Sequence, residues 1–80
     1  MVRYKFTVVV ERDEDGIYVA SCPVLQGCYT QGRTYDEAMK NIKDAIQLHI
    51  AARTDMGEQI PIEQAVEEVE IVAEAAPSKA

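Results

Sequence analysis

Apolar and polar side chains alternate along the start of the chain: Tyr4, Phe6, Val8 and Val10 fall on one face, Lys5 and Thr7 on the other. A period of two belongs to a strand with one buried face. Val9 adds an apolar group to the second face, which is therefore expected to be partly covered as well. Asp13-Glu14-Asp15-Gly16 separates this run from a second β-branched and aromatic run at residues 17–21. Asp-Gly at such a junction predicts a hairpin, with Asp13, Asp15 and Gly16 setting the turn. Pro23 and Leu25-Gln26-Gly27 break the pattern, and a third short run, residues 28–31, ends at Gly32. Together the three runs predict an antiparallel meander.

At Thr34 the period changes. Thr34-Tyr35-Asp36-Glu37 has the spacing of a capping box, in which Thr34 and Glu37 each satisfy an amide at the start of a helix. Ala38, Ile42, Ala45 and His49 then form one line, with Met39, Ile46 and Ile50 beside it, as on a helix lying on a sheet. Lys40, Lys43, Asp44 and Gln47 take the wet side, and Gly57 is the expected stop. Farther on, Glu68-Val69-Glu70-Ile71-Val72 alternates and predicts a fourth strand. Residues 62–66 stay open between loop and a short helical turn.

The order β-β-β-α-β predicts an α+β fold: a three-stranded antiparallel meander, one helix packed on the sheet, and a fourth strand at the edge. A right-handed crossover through the helix would set that strand parallel to the first. Residues 1–72 form the expected domain and residues 73–80, small and polar around Pro77, a flexible tail. The sheet face away from the helix is left open. Thr7, Val9, Tyr18 or Val19, and Tyr29 or Cys28 are its candidates, according to register. An open face predicts self-association, as a dimer or a tetramer.

Length and charge narrow the function. A chain of 80 residues buries only about 60% of the surface its unfolded form exposes, so its core is thin. The net charge of −6 speaks against gripping nucleic acid or anionic membrane and favours a basic partner. The start of the chain lacks the continuous apolar stretch of a signal peptide, and no stretch approaches the ~20 apolar residues of a membrane span. Cys22 and Cys28 are expected as reduced thiols, which fits a cytoplasmic protein. Two cysteines and the single His49 make no common zinc pattern. After Asp13-Glu14-Asp15-Gly16 come Ile17, Tyr18 and Val19, where a calcium loop needs more oxygen ligands. Neither a metal nor a cofactor is expected, and His49 on the apolar stripe is expected to be packed rather than catalytic. Glu67, Glu68 and Glu70 are the candidate acidic contacts for a partner.

Several motifs in order resemble one family. They are Asp13-x-Asp15-Gly16-x-Tyr18-x-Ala20, Pro23-x-Leu25-x-Gly27-Cys28, Gly32-x-Thr34-x-x-Glu37-Ala38 and Asn41-Ile42-x-x-Ala45-Ile46. The set resembles the HicB antitoxin family over about residues 4–50. The resemblance implies a truncated RNase H-like fold and a role in masking HicA, a small basic toxin that cleaves mRNA. Many members add a DNA-binding domain that represses their own operon; the eight residues after Val72 are too few for one, so direct operator binding is not expected. Nuclease activity is not expected either. A two-metal site needs carboxylates on the first strand, and the middle of that strand is Val8-Val9-Val10. The rival expectation is an orphan oligomeric module of the same fold that binds a small ligand or another protein, with no toxin partner.

Overall fold

A computed structural model of the chain describes residues 3–73. Three strands, β1 (Val9–Arg12), β2 (Tyr18–Ser21) and β3 (Tyr29–Gly32), form an antiparallel sheet in the order β1-β2-β3, and one helix, α1 (Tyr35–Asp55), follows. Val10 stands opposite Ala20, and Ala20 opposite Thr30. That register turns Val10, Ala20 and Thr30 toward the helix and leaves Val9, Ser21 and Tyr29 on the outer face.

Local bonds place these elements. The Asp13 amide donates to the Ile17 carbonyl (2.9 Å) and the Gly16 amide to the Asp13 carbonyl (3.0 Å). Asp13 Oδ1 accepts from the amides of Asp15 and Ile17, both at 2.9 Å. Gly16 closes the loop at φ +82°, a conformation that costs a residue with a Cβ atom far more than glycine. At the helix start the Thr34 hydroxyl accepts from the Glu37 amide (3.0 Å), while the Glu37 carboxylate reaches back to Arg33. The reciprocal bond thus falls one residue before the cap rather than on it. Removing the hydroxyl by Thr34→Ala is expected to cost about 1 kcal/mol, seen as a lower urea midpoint at unchanged slope. The helix ends in a Schellman motif: Gly57 (φ +73°) donates to Thr54 (3.1 Å) and Glu58 to Arg53 (2.8 Å).

The core is small. Ala20, Cys22, Leu25, Cys28, Ala38 and Ile42 are buried, and Phe6, Val8, Val10, Met39, Ala45 and Ile46 pack around them. Leu25 enters this core from the loop between β2 and β3, held by bonds from Leu25 to the Cys22 carbonyl and from Cys28 to the Leu25 carbonyl, each 3.0 Å. A segment that reads as a break in the strand pattern therefore plugs one end of the sheet. The helix, about 31 Å long at ~1.5 Å per residue, lies over β3 and β2 and overhangs strands of four residues each. Leu48 and Met56, on its overhanging half, are exposed.

Two expectations need correction. The first strand is shorter than its alternation predicts, because its ladder stops where Pro23 would face Thr7 in the register. Proline has no amide to give. It is the Thr7 carbonyl that this leaves without a donor, while the Thr7 amide is taken by Glu63 Oε1, 56 residues away, at 3.0 Å. The fourth strand at residues 68–72 is not formed: among the described residues the sheet has three strands, and Val69, Ile71 and Val72 are 77%, 76% and 92% exposed. Alternation gives a strand its two faces, but its amides and carbonyls need a neighbouring ladder, and the chain takes these residues away from its own sheet. Residues 62–66 are loop. Of the expected tail, residues 74–80 lie outside the described residues.

Candidate functional site

The sheet's outer face is built in two rows. Val9, Ser21 and Tyr29 form one, and Glu11, Val19 and Gln31 the next. The register decides between the alternatives: Val19 and Tyr29 belong to this face, while Tyr18 and Cys28 point to the helix side. There Tyr18 meets Tyr35 edge to face at 6.3 Å and carries the Arg12 guanidinium 5.5 Å above its ring. Tyr29 is 70% exposed and Val9 41%, so two large apolar groups stand in solvent on a flat, sparsely charged face.

One side of this face is bordered by the segment after the helix. Residues 62–67 run beside Thr7, Val9, Pro23 and Val24 and leave a groove between them, with Glu63 tied to the sheet through Thr7. Glu67 lies on the groove, and Glu68 and Glu70 continue beyond it, all three exposed. These carboxylates therefore cluster on an arm and not on the sheet. Asp13, Asp15 and Gly16 lie in the β1–β2 turn, and Thr34 and Glu37 at the helix start just after β3; the side chains of Asp13, Thr34 and Glu37 are engaged with neighbouring backbone.

Both edges of the sheet differ in a way the sequence did not reveal. The Cys22 amide donates to the Cys28 carbonyl (2.9 Å), so Gln31 and Arg33 turn their backbone groups outward from β3. Asn41 Nδ2 donates to the Gln31 carbonyl (3.0 Å), and the Glu37 carboxylate takes the Arg33 amide. Helix side chains thus cap the Gln31–Arg33 end of this edge, while the backbone groups of Tyr29, outward in the same phase, are left open. At β1 the Asp13–Ile17 bond sets the opposite phase, turning Val8, Val10 and Arg12 outward, and among the described residues nothing pairs with them. Sequence reading misses Glu63, and gives Asn41 only as a motif residue, without this role. Each acts on backbone far away in the chain, and neither position carries a local signal.

Chemistry is sparse. Among the described residues no polar or charged side chain is buried, and no three His, Cys, Asp or Glu stand close enough to hold a metal. Burial foremost pushes the Cys22 thiol up, with the Leu25 backbone pulling it partly back, and burial also raises Cys28. Both thiols therefore stay protonated at neutral pH and are poor nucleophiles. His49 is half-buried beside Ala45, Leu48 and Ala52. No helix among the described residues is long and apolar enough to cross a membrane.

A three-stranded meander backed by one helix, with an uncovered sheet face and an apolar-acidic arm, defines a small α+β domain that offers surfaces rather than a polar pocket. Residues 6–77 match the model of the HicB-like antitoxin of bacterial toxin–antitoxin systems, and the chain belongs to that family. It is 48% identical over 63 residues to a UPF0150 protein of Thermoplasma acidophilum, covering 79% of this chain and 91% of that one. It is 52% identical over 48 residues to a UPF0150 protein of Synechocystis, covering 60% and 70%. The structure resembles the N-terminal domain of the Burkholderia pseudomallei antitoxin HicB, with a TM-score of 0.67 and 28% identity over 76% of this chain and 72% of that one.

Proposed function

We propose that this chain is the antitoxin of a toxin–antitoxin pair and acts in the cytoplasm by covering a basic, RNA-cleaving toxin of the HicA type. The family match over residues 6–77 carries this reading. Charge and surface support it. A domain of net charge −6 draws a cationic partner, and a flat face with Val9, Val19 and Tyr29 supplies apolar area to bury once the partner has arrived. Glu67, Glu68 and Glu70 would border that contact with negative charge. The mechanism is occlusion: the toxin's RNA-binding surface is covered, and the antitoxin needs no catalytic residue, metal or cofactor of its own. Self-association, as a dimer or a tetramer, belongs to the same proposal, since a thin core leaves apolar surface for a second copy.

The test is co-expression with a short basic reading frame adjacent to the gene. The expected result is growth rescue and co-purification of the two proteins. Tyr29→Arg, which adds charge to the outer face without touching the core, is expected to weaken capture about tenfold or more while leaving the melting temperature unchanged. A basic neighbour that neither binds nor is neutralised would remove the antitoxin reading and leave the orphan module.

A further inference from the structure

We infer that residues 68–72 are the missing edge strand of a second copy, and that the protein dimerises by exchanging them. This deepens the self-association part of the proposed function and does not depend on a toxin. Four observations meet at one place. The backbone groups of Val8, Val10 and Arg12 face outward from β1, while the opposite edge is capped at its Gln31–Arg33 end by Asn41 and Glu37. An open edge of this kind is a template for a further strand. The helix lies over β3 and β2, and an open groove lined by Tyr4, Phe6, Ile46 and Ile50, with Lys43 at its border, runs between the helix and the residues leading into β1. That groove lies on the helix side of the sheet, beside the free edge.

The occupant has matching chemistry. Added at β1, residues 68–72 would send Val69 and Ile71 to one face and Glu68 and Glu70 to the other. Val69 and Ile71 fit the apolar groove and continue the row of Phe6, Val8 and Val10. Glu68 and Glu70 come to the outer face, where Lys5 stands exposed, and Lys43 borders the strand from the helix.

The donor is another copy because the chain's own arm is committed elsewhere. Glu63 is bonded to Thr7, and residues 62–67 lie against Val9, Pro23 and Val24 on the outer face, the side away from the groove. Beyond them Val69, Ile71 and Val72 stand clear of the sheet. The radius of gyration of 16.1 Å, against ~12 Å for a compact chain of this length, reports the same outward reach. Two such chains satisfy each other by a two-fold exchange, each arm filling the other's edge.

Light scattering on the full chain alone at micromolar concentration is expected to return twice the 8.9 kDa chain mass. Val69→Pro with Ile71→Pro removes two ladder amides from residues that stabilise nothing within one chain. It is expected to give the monomer mass with the helical circular dichroism intact. Lys5→Glu is expected to weaken the dimer, and adding Glu68→Lys and Glu70→Lys to restore it. A wild-type chain of monomer mass would overturn the exchange, and so would a double-proline variant that remains dimeric. Neither outcome bears on toxin capture.

Discussion

Ile42→Ala is expected to cost the domain about 2–5 kcal/mol, among the largest effects of any single side-chain truncation in this core. Ile42 is fully buried, and with Leu25 and Cys22 it is among the largest side chains so enclosed. It sits where the helix crosses the sheet, among Ala20, Cys28 and Ala38, none of which is long enough to collapse into the space it would leave. A domain of this length has about 4–12 kcal/mol in total to lose, at roughly 0.05–0.15 kcal/mol per residue. The variant is thus expected to melt about 8–40 °C lower, at about 4–8 °C per kcal/mol. Unchanged melting would show that the helix buries a different face.

Gly32→Ala is expected to be nearly as damaging for a different reason. A Cβ atom at position 32 would stand 2.6 Å from the Ala38 amide nitrogen and 3.0 Å from its Cα. Those are backbone atoms of the first helical turn, and they cannot swing aside as a flexible side chain does. Either β3 or the helix start must move, and such overpacking costs about 1–3 kcal/mol or more. The movement would also disturb the bond from Arg33 to Glu37 and, through it, the capped end of the β3 edge. Equilibrium urea unfolding reads the loss directly, and hydrogen exchange at the Arg33 amide is expected to quicken. A variant as stable as the wild type, with that amide still protected, would mean that the close approach of strand and helix is not needed.

The contrast between these positions shows what the chain discloses by itself. Ile42 is legible: it lies on a helical stripe that begins at a recognisable cap, Thr34 with Glu37, and stops at Gly57. The turn around Asp13 and Gly16 is equally local, and so the meander and the helix could be read in order. Gly32 looks like one more turn glycine, because sequence records the absence of a side chain and not the neighbour that requires it. The choice between Val19 and Tyr18, or Tyr29 and Cys28, depends on pairing register, and a slip of one residue exchanges the faces. Residues 68–72 carry a strand's period, which says nothing about whether an edge lies within reach. The bond from Thr7 to Glu63 is the extreme case: it joins a backbone amide to a carboxylate 56 residues away.

The sheet's capped edge has a consequence for how the protein behaves when crowded. Identical chains polymerise into fibrils when each offers two sticky edges, since every added copy then presents a fresh end for the next. Here Asn41 and Glu37 cap the Gln31–Arg33 end of one of the two. Strand pairing along that part of β3 is blocked, so an incoming strand is directed to the β1 side. Two helix side chains that look incidental to the fold thus act as a partial guard against edge-to-edge growth.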